Sequence, residues 1–174
     1  VAPLARVDAP WVTRSGLSQL ALSARDRIAI EGGLSLDLGR ALTLDTQVLA
    51  VTPRAGQTGA RLAAPWVSWA DTQVPLAIGT FVRDAALPGG GSGQLTLQAG
   101  QRLDVSGQVV TQGIGRLGLA SDGDLLLQKP SAGLAGDGRL ATAADLSLSA
   151  RQIYPATDTG FVIDATGQTV DIAI

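Results

Sequence analysis

Apolar side chains fall along this chain in short alternating pairs. "QLALSARDRIAI" carries Leu20, Leu22, Ile28 and Ile30; "LSLDLGRALTL" carries Leu34, Leu36, Leu42 and Leu44. The pattern returns in "QLTLQAGQRLDV" with Leu95, Leu97, Leu103 and Val105, and in "RLGLASDGDLLL" with Leu117, Leu119, Leu125 and Leu127. In each stretch the second pair starts eight residues after the first. Alternation with a period of two puts these side chains on one face of a strand, and the gap between pairs is too short for a helix. Each unit reads as two short strands joined by a bend. Leu20 and Leu42, like Leu95 and Leu117, stand 22 positions apart, close to one turn of a solenoid, in which leucine stacks on leucine in internal columns.

The pattern predicts an all-β parallel solenoid of roughly eight coils, a rod near 40 Å long at about 4.8 Å per coil. Its core is expected to hold the sixteen residues just named together with Leu146 and Leu148. An antiparallel sandwich also uses alternating strands, but its strands need not resemble one another, and the repeated offset favours the solenoid. Three stretches break the rhythm and read as loop insertions in a single solenoid segment spanning 1–174: 70–93, ending in "LPGGGSG"; 129–138, "KPSAGLAGDG"; and 155–160, "PATDTG". By composition "GGGSG" is also what a flexible linker looks like.

Composition sharpens this picture. The acids are fourteen Asp and the single Glu31, and the bases are twelve Arg and the single Lys129. Asp belongs in turns, whereas Glu and Lys furnish surface helices, so the chain is expected to be poor in helix. The 22 Gly and 8 Pro supply the turns, and 3% aromatic content suits a narrow lumen filled by aliphatic residues. A net charge of −2 without runs of like charge gives nucleic acid no footprint. No apolar run approaches the eighteen or so residues of a membrane helix. With no Cys and no His, disulfides, thiol catalysis and His-dependent triads are excluded. Starting at Val1 and stopping in the strand-like "TVDIAI", the chain reads as an excised or processed piece of a much larger protein.

"GQLTLQAGQRLDVSG", the Ala-Pro-Trp-Val segments around Trp11 and Trp66, and above all "ADLSLSARQIYPATDTGFVI" with Leu146, Leu148, Ala150, Ile153, Tyr154 and Pro155 resemble the repetitive body of filamentous-haemagglutinin-like exoproteins of Gram-negative bacteria, secreted by the two-partner route. The resemblance implies a right-handed parallel β-helix (β-solenoid), passage through an outer-membrane transporter, and a non-catalytic structural or adhesive role at the cell surface toward a host or bacterial receptor or glycan. It also implies that Trp11 and Trp66 start equivalent strands in successive blocks. The amino-terminal secretion domain of that family is not found in this chain, so transporter recognition falls on no numbered residue.

Sharper chemistry is weakly supported. "GIGRLG" (Gly113, Gly115, Gly118) has dinucleotide-binding spacing, but strand and turn follow it instead of the helix whose N-terminus receives the pyrophosphate. No cofactor is expected, and the glycines read as corners. Asp122, Asp124 and Asp137 lack the spaced oxygens and closing acid of a calcium loop. A polysaccharide-active enzyme or polysaccharide-binding module is the main rival. Asp26 between Arg25 and Arg27, or Asp37 with Asp45, are its candidate acids, while Lys129 with Ser131 makes a poor dyad. A second rival is an open lipid-transport groove lined by leucine. With Val67 and Trp69 inward, Trp66 is expected to point outward and Trp11 likewise, where an indole can stack on a sugar; an insertion such as 70–93 folded over them is the ordinary alternative. Neither end shows a cap, which predicts fraying or end-to-end self-association through the Val170, Ile172 and Ile174 alternation.

Overall fold

The computed structural model describes residues 9–72, 86–130, 136–165 and 167–174. Helix α1 (Ala9–Arg14) precedes β1 (Gln19–Ser23), β2 (Ile28–Glu31), β3 (Ser35–Asp37), β4 (Ala41–Asp45), β5 (Val48–Thr52), β6 (Gly59–Ala70) and β7 (Gly89–Ser106). There follow β8 (Gln108–Ser121), β9 (Asp124–Gln128), β10 (Gly138–Ala141), β11 (Asp145–Ser149), β12 (Gln152–Pro155), β13 (Phe161–Asp164) and β14 (Val170–Ala173). Every pairing between these strands is parallel. The strands wind into a β-solenoid of about five turns.

The coils have three walls. The first stacks β1, β4, the end of β6, the end of β7, β9 and β12. The second stacks β2, β5, the start of β8, β10 and β13. The third stacks β3, the start of β6, the middle of β7, the end of β8, β11 and β14. A coil therefore holds three strands where the alternation suggested two: on the second wall only β2, with Ile28 and Ile30, carries a pair that the sequence pattern picked out. β6, β7 and β8 are long because each rounds a corner without leaving the sheet.

Register aligns the inward residues into columns. One runs Leu20, Leu42, Val67, Leu103, Leu125, Ile153 on the first wall. Another runs Leu36, Leu62, Leu97, Leu119, Leu148, Ile172 on the third. Of the expected core, Leu20, Leu22, Ile28 and Leu34 are half-buried against the first coils and the remainder are buried. The rod is shorter than expected: six rungs on a wall give about 24 Å, not 40 Å, and about five turns, not eight. The 22-residue step holds from Leu20 to Leu42 and from Leu103 to Leu125, but the others take 25, 36 and 28 residues. Corners and insertions absorb the difference.

The largest interruption falls in the third coil, which has no rung on the second wall among the described residues. There β5 pairs directly with β8, from Val48↔Val110 to Ala50↔Gln112. The two strands then part and the chain re-enters, with Gly89 opposite Gln112 and Gly93 opposite Ile114. A Cβ on Gly91 would stand 2.5 Å from the Gly113 carbonyl, and one on Gly93 would stand 2.5 Å from the same oxygen and 2.7 Å from Val51 Cβ. "GGGSG" is therefore strand, and the linker-like reading of 89–93 is corrected: only glycine lets three backbones approach this closely. Gly113, at φ +68°, turns the corner that the glycine motif suggested. Of the other expected insertions, residues 73–85 and 131–135 lie outside the described residues. Pro155 closes β12, and Thr159 N donates to the Ala156 carbonyl in the turn that follows (3.1 Å).

The two Ala-Pro-Trp-Val segments are not structurally equivalent. In the second, Pro65 occupies a corner where the register shifts between Ala64 and Trp66, the kind of irregularity that tolerates a residue without an N–H. Val67 and Trp69 then turn inward, and the Trp69 indole donates to the buried Thr46 carbonyl at 3.0 Å. In the first, Pro10 sits in the opening turn of α1, where its fixed φ suits a helix. Val12 is fully buried and α1 packs beside β3. A short helix thus covers the third-wall side of the first coil, where the expectation was of no cap at either end. At the other end Val170, Ile172 and Ile174 are exposed.

Gly91→Ala is expected to lose about 1–3 kcal/mol of unfolding free energy by urea titration, the usual cost of overpacking. Gly59→Ala, with nothing within 4 Å of its Cβ position, is expected to stay within about 0.5 kcal/mol of the parent.

Candidate functional site

Because the rungs are in register, outward residues also form columns. On the first wall one reads Trp66, Arg102, Asp124, Gln152, and its neighbour reads Ser68, Asp104, Leu126, Tyr154. These two columns carry a connected set of side-chain contacts. The Trp66 indole N–H donates to Gln101 Oε1 at 2.8 Å. The Arg102 guanidinium carbon lies 6.0 Å from the Trp66 ring centroid, a cation–π distance. Arg102 Nε donates to Asp104 Oδ1 at 2.6 Å. Tyr154 Oη donates to Asp124 Oδ2 at 2.9 Å.

This bonding shapes both electrostatics and exposure. The hydrogen bond to Asp104 holds the Arg102 guanidinium above its ordinary value, against some burial. The hydrogen bond to Asp124 raises the Tyr154 phenol, since only the protonated phenol can donate it. To reach Asp124 the Tyr154 ring crosses the neighbouring rung, where Leu126 points outward and yet is only 8% exposed. Trp66 remains 49% exposed and Tyr154 37%, so both rings are fixed at the polar edge and open to solvent.

The other candidates are dispersed. Trp11 is exposed on α1 beside the third wall, apart from Trp66 on the first. Asp26 and its two arginines occupy the exposed turn between β1 and β2. Asp37 faces Arg61 from the third wall at 3.7 Å. Asp45, on the first wall, accepts bonds from Thr72 N (2.9 Å), Thr72 Oγ1 (2.7 Å) and Ser23 Oγ (3.2 Å). The expected pairing of Asp37 with Asp45 on one face does not occur, because a corner separates their strands. Lys129 Nζ donates to the Asp158 carbonyl at 3.2 Å, and Ser131 lies outside the described residues.

Sequence reasoning misses Arg102, Asp104 and Gln101, reaches Asp124 only as a calcium candidate that lacks its fellow ligands, and reaches Tyr154 only through a resemblance. A signal did exist: aligning the inward columns through Val67, Leu103, Leu125 and Ile153 places Trp66, Arg102, Asp124 and Gln152 in one outward column. The unequal steps between these rungs hide that alignment. A second feature, on the third wall, is an open depression of about 540 Å³ with Gly118, Ala120, Ser147 and Ser149 among its lining, bordered by Arg116, Asp145 and Asp171. It arises because consecutive rungs present small outward residues.

No family model, curated protein or solved structure matches the chain.

The single tyrosine allows a direct test of the first-wall bonding. A phenol whose folded value is raised keeps its bond below the ordinary value, near pH 10, and loses it as pH rises through the higher folded value. Tyrosinate absorbance is therefore expected to develop at higher pH in the folded chain than in urea. In Asp124→Ala it is expected to move down toward the unfolded curve.

Proposed function

We propose that this chain is a non-catalytic, rigid segment of a secreted bacterial surface exoprotein, spacing and displaying binding surfaces. The observation that carries this reading is the filled lumen. Leu97, Leu103, Leu119 and Leu125 are at most 1% exposed in the middle of the stack, so the interior serves stiffness and the outward columns are left for contact. The resemblance of "ADLSLSARQIYPATDTGFVI" to filamentous-haemagglutinin-like exoproteins supports the setting: export through an outer-membrane transporter, then a role in adhesion. A lipid-transport groove finds less support, since the leucine columns are closed by the chain itself.

The rival from another class is a polysaccharide-active enzyme, whose natural location would be the depression bordered by Arg116, Asp145 and Asp171. Incubating the chain with pectate, alginate and hyaluronan is expected to yield neither new reducing ends nor unsaturated products. Turnover that disappears in Asp145→Asn or Asp171→Asn would overturn the passive reading.

Taken by itself, the 174-residue chain is also expected to self-associate through its exposed β14 edge. With α1 over the first coil and Ile172 exposed on β14, association is expected to stop at a dimer joined through the β14 ends. Sedimentation equilibrium is expected to show concentration-dependent dimers that weaken in Ile172→Lys. Open-ended growth would contradict the assignment of α1 as a cover.

A further inference from the structure

We infer that the outward face of the first wall, from Trp66 across Arg102, Asp104 and Asp124 to Tyr154, is a binding site for a neutral polysaccharide chain lying along the rod. The inference rests on the display reading for its biological setting and gives it a specific surface and ligand class.

Geometry suggests the ligand's shape. Trp66 is on β6 and Tyr154 on β12, three rungs apart through β7 and β9, which is about 14 Å along the rod. An extended sugar chain advances by about one strand spacing per pyranose, roughly 5 Å. An oligosaccharide of three or four units therefore spans the two rings and places a sugar opposite each intervening rung. Register between parallel rungs sets this spacing rigidly, so the site does not have to be assembled on binding.

Chemistry suggests the ligand's class. A pyranose offers an apolar C–H face to an aromatic ring and a rim of hydroxyls that both donate and accept. Tyr154 and Trp66 supply the rings, each held by its polar atom and exposed elsewhere. Between them stand acceptors on Asp104 and Asp124 and donors on Arg102, all at the surface and already oriented by one another. Fixed aromatic platforms of this kind give contact area with little loss of side-chain entropy.

Charge separates this occupant from others. Arg102 is matched by Asp104, and Asp124 leaves the strip with one net negative charge. Between the two rings no cation is left unmatched for an acidic polysaccharide or a phosphate-bearing ligand; Arg40 and Arg151 stand outside them, at the corner that borders the strip. The apolar area consists of two rings set apart by charged residues, without the contiguous apolar core of a protein interface. Trp11, also exposed, lies elsewhere on α1 and shows no such partners among the described residues, which makes it the internal control.

Affinity electrophoresis of the chain through gels containing hydroxyethylcellulose, galactomannan, xyloglucan, dextran or arabinogalactan tests the proposal. Retardation is expected in at least one neutral polymer, about tenfold weaker in Trp66→Ala and in Tyr154→Ala, as for aromatic anchors of other interfaces. It is expected to be unchanged in Trp11→Ala and absent with alginate. Absence of retardation by all five neutral polymers, or retardation that survives both Trp66→Ala and Tyr154→Ala in variants with parental thermal unfolding, overturns the site. Neither outcome bears on the passive reading, which fails separately if polysaccharide is turned over.

Discussion

A rung of a parallel solenoid cannot satisfy its own backbone. Each N–H and C=O on a wall must be taken by the coil above or below, and an amide buried without a partner is costly. Rung-on-rung pairing is thus the constraint on which the other features depend. Once Leu42 is placed opposite Leu20 and Val67 opposite Leu42, the inward residues stack and the core forms as columns. The alternation that fills the lumen turns every second residue outward, so the same hydrogen bonds align Trp66, Arg102 and Asp124 on the exterior.

The constraint also explains the irregular parts. A coil that departs from its wall must rejoin the stack without leaving strands unpaired. The third coil achieves this by letting β5 and β8 pair across the gap and re-entering through Gly91 and Gly93 where they separate. Trp69, the one tryptophan in the core, lies in that same coil and anchors to the Thr46 carbonyl. At the first coil, α1 packs beside β3 in place of a further rung, with Val12 buried in the core. Each device preserves the column order on either side of it.

Much of this architecture was legible because period-two alternation and the eight-residue offset are direct consequences of a strand, a bend and a strand. The leucines of the first and third walls announce themselves, and most of the expected core is buried. Beyond Ile28 and Ile30 on β2 the second wall was not legible: Val48, Ala50, Val110 and Ala141 are inconspicuous singly, and their pairing spans up to 62 positions from Val48 to Val110. Local sequence also could not distinguish a helix from a strand in two copies of Ala-Pro-Trp-Val. The difference is made by what Val12 and Val67 pack against. The exterior cluster was hidden for a related reason: its members come from four rungs separated by unequal lengths of chain, so only the inward columns reveal that they are neighbours.

The absence of cysteine makes the stacking itself directly measurable. Thr43 and Ser68 are register partners on the outside of the first wall, about 4.8 Å apart and within the range a disulfide spans. Ser147 lies on the third wall. The double variant Thr43→Cys/Ser68→Cys is expected to oxidise to an intramolecular disulfide with no loss of thermal stability, while Thr43→Cys/Ser147→Cys remains reduced under the same conditions. A first pair that fails to close, or a second that closes as readily, would contradict the register from which the core, the corners and the exterior columns all follow.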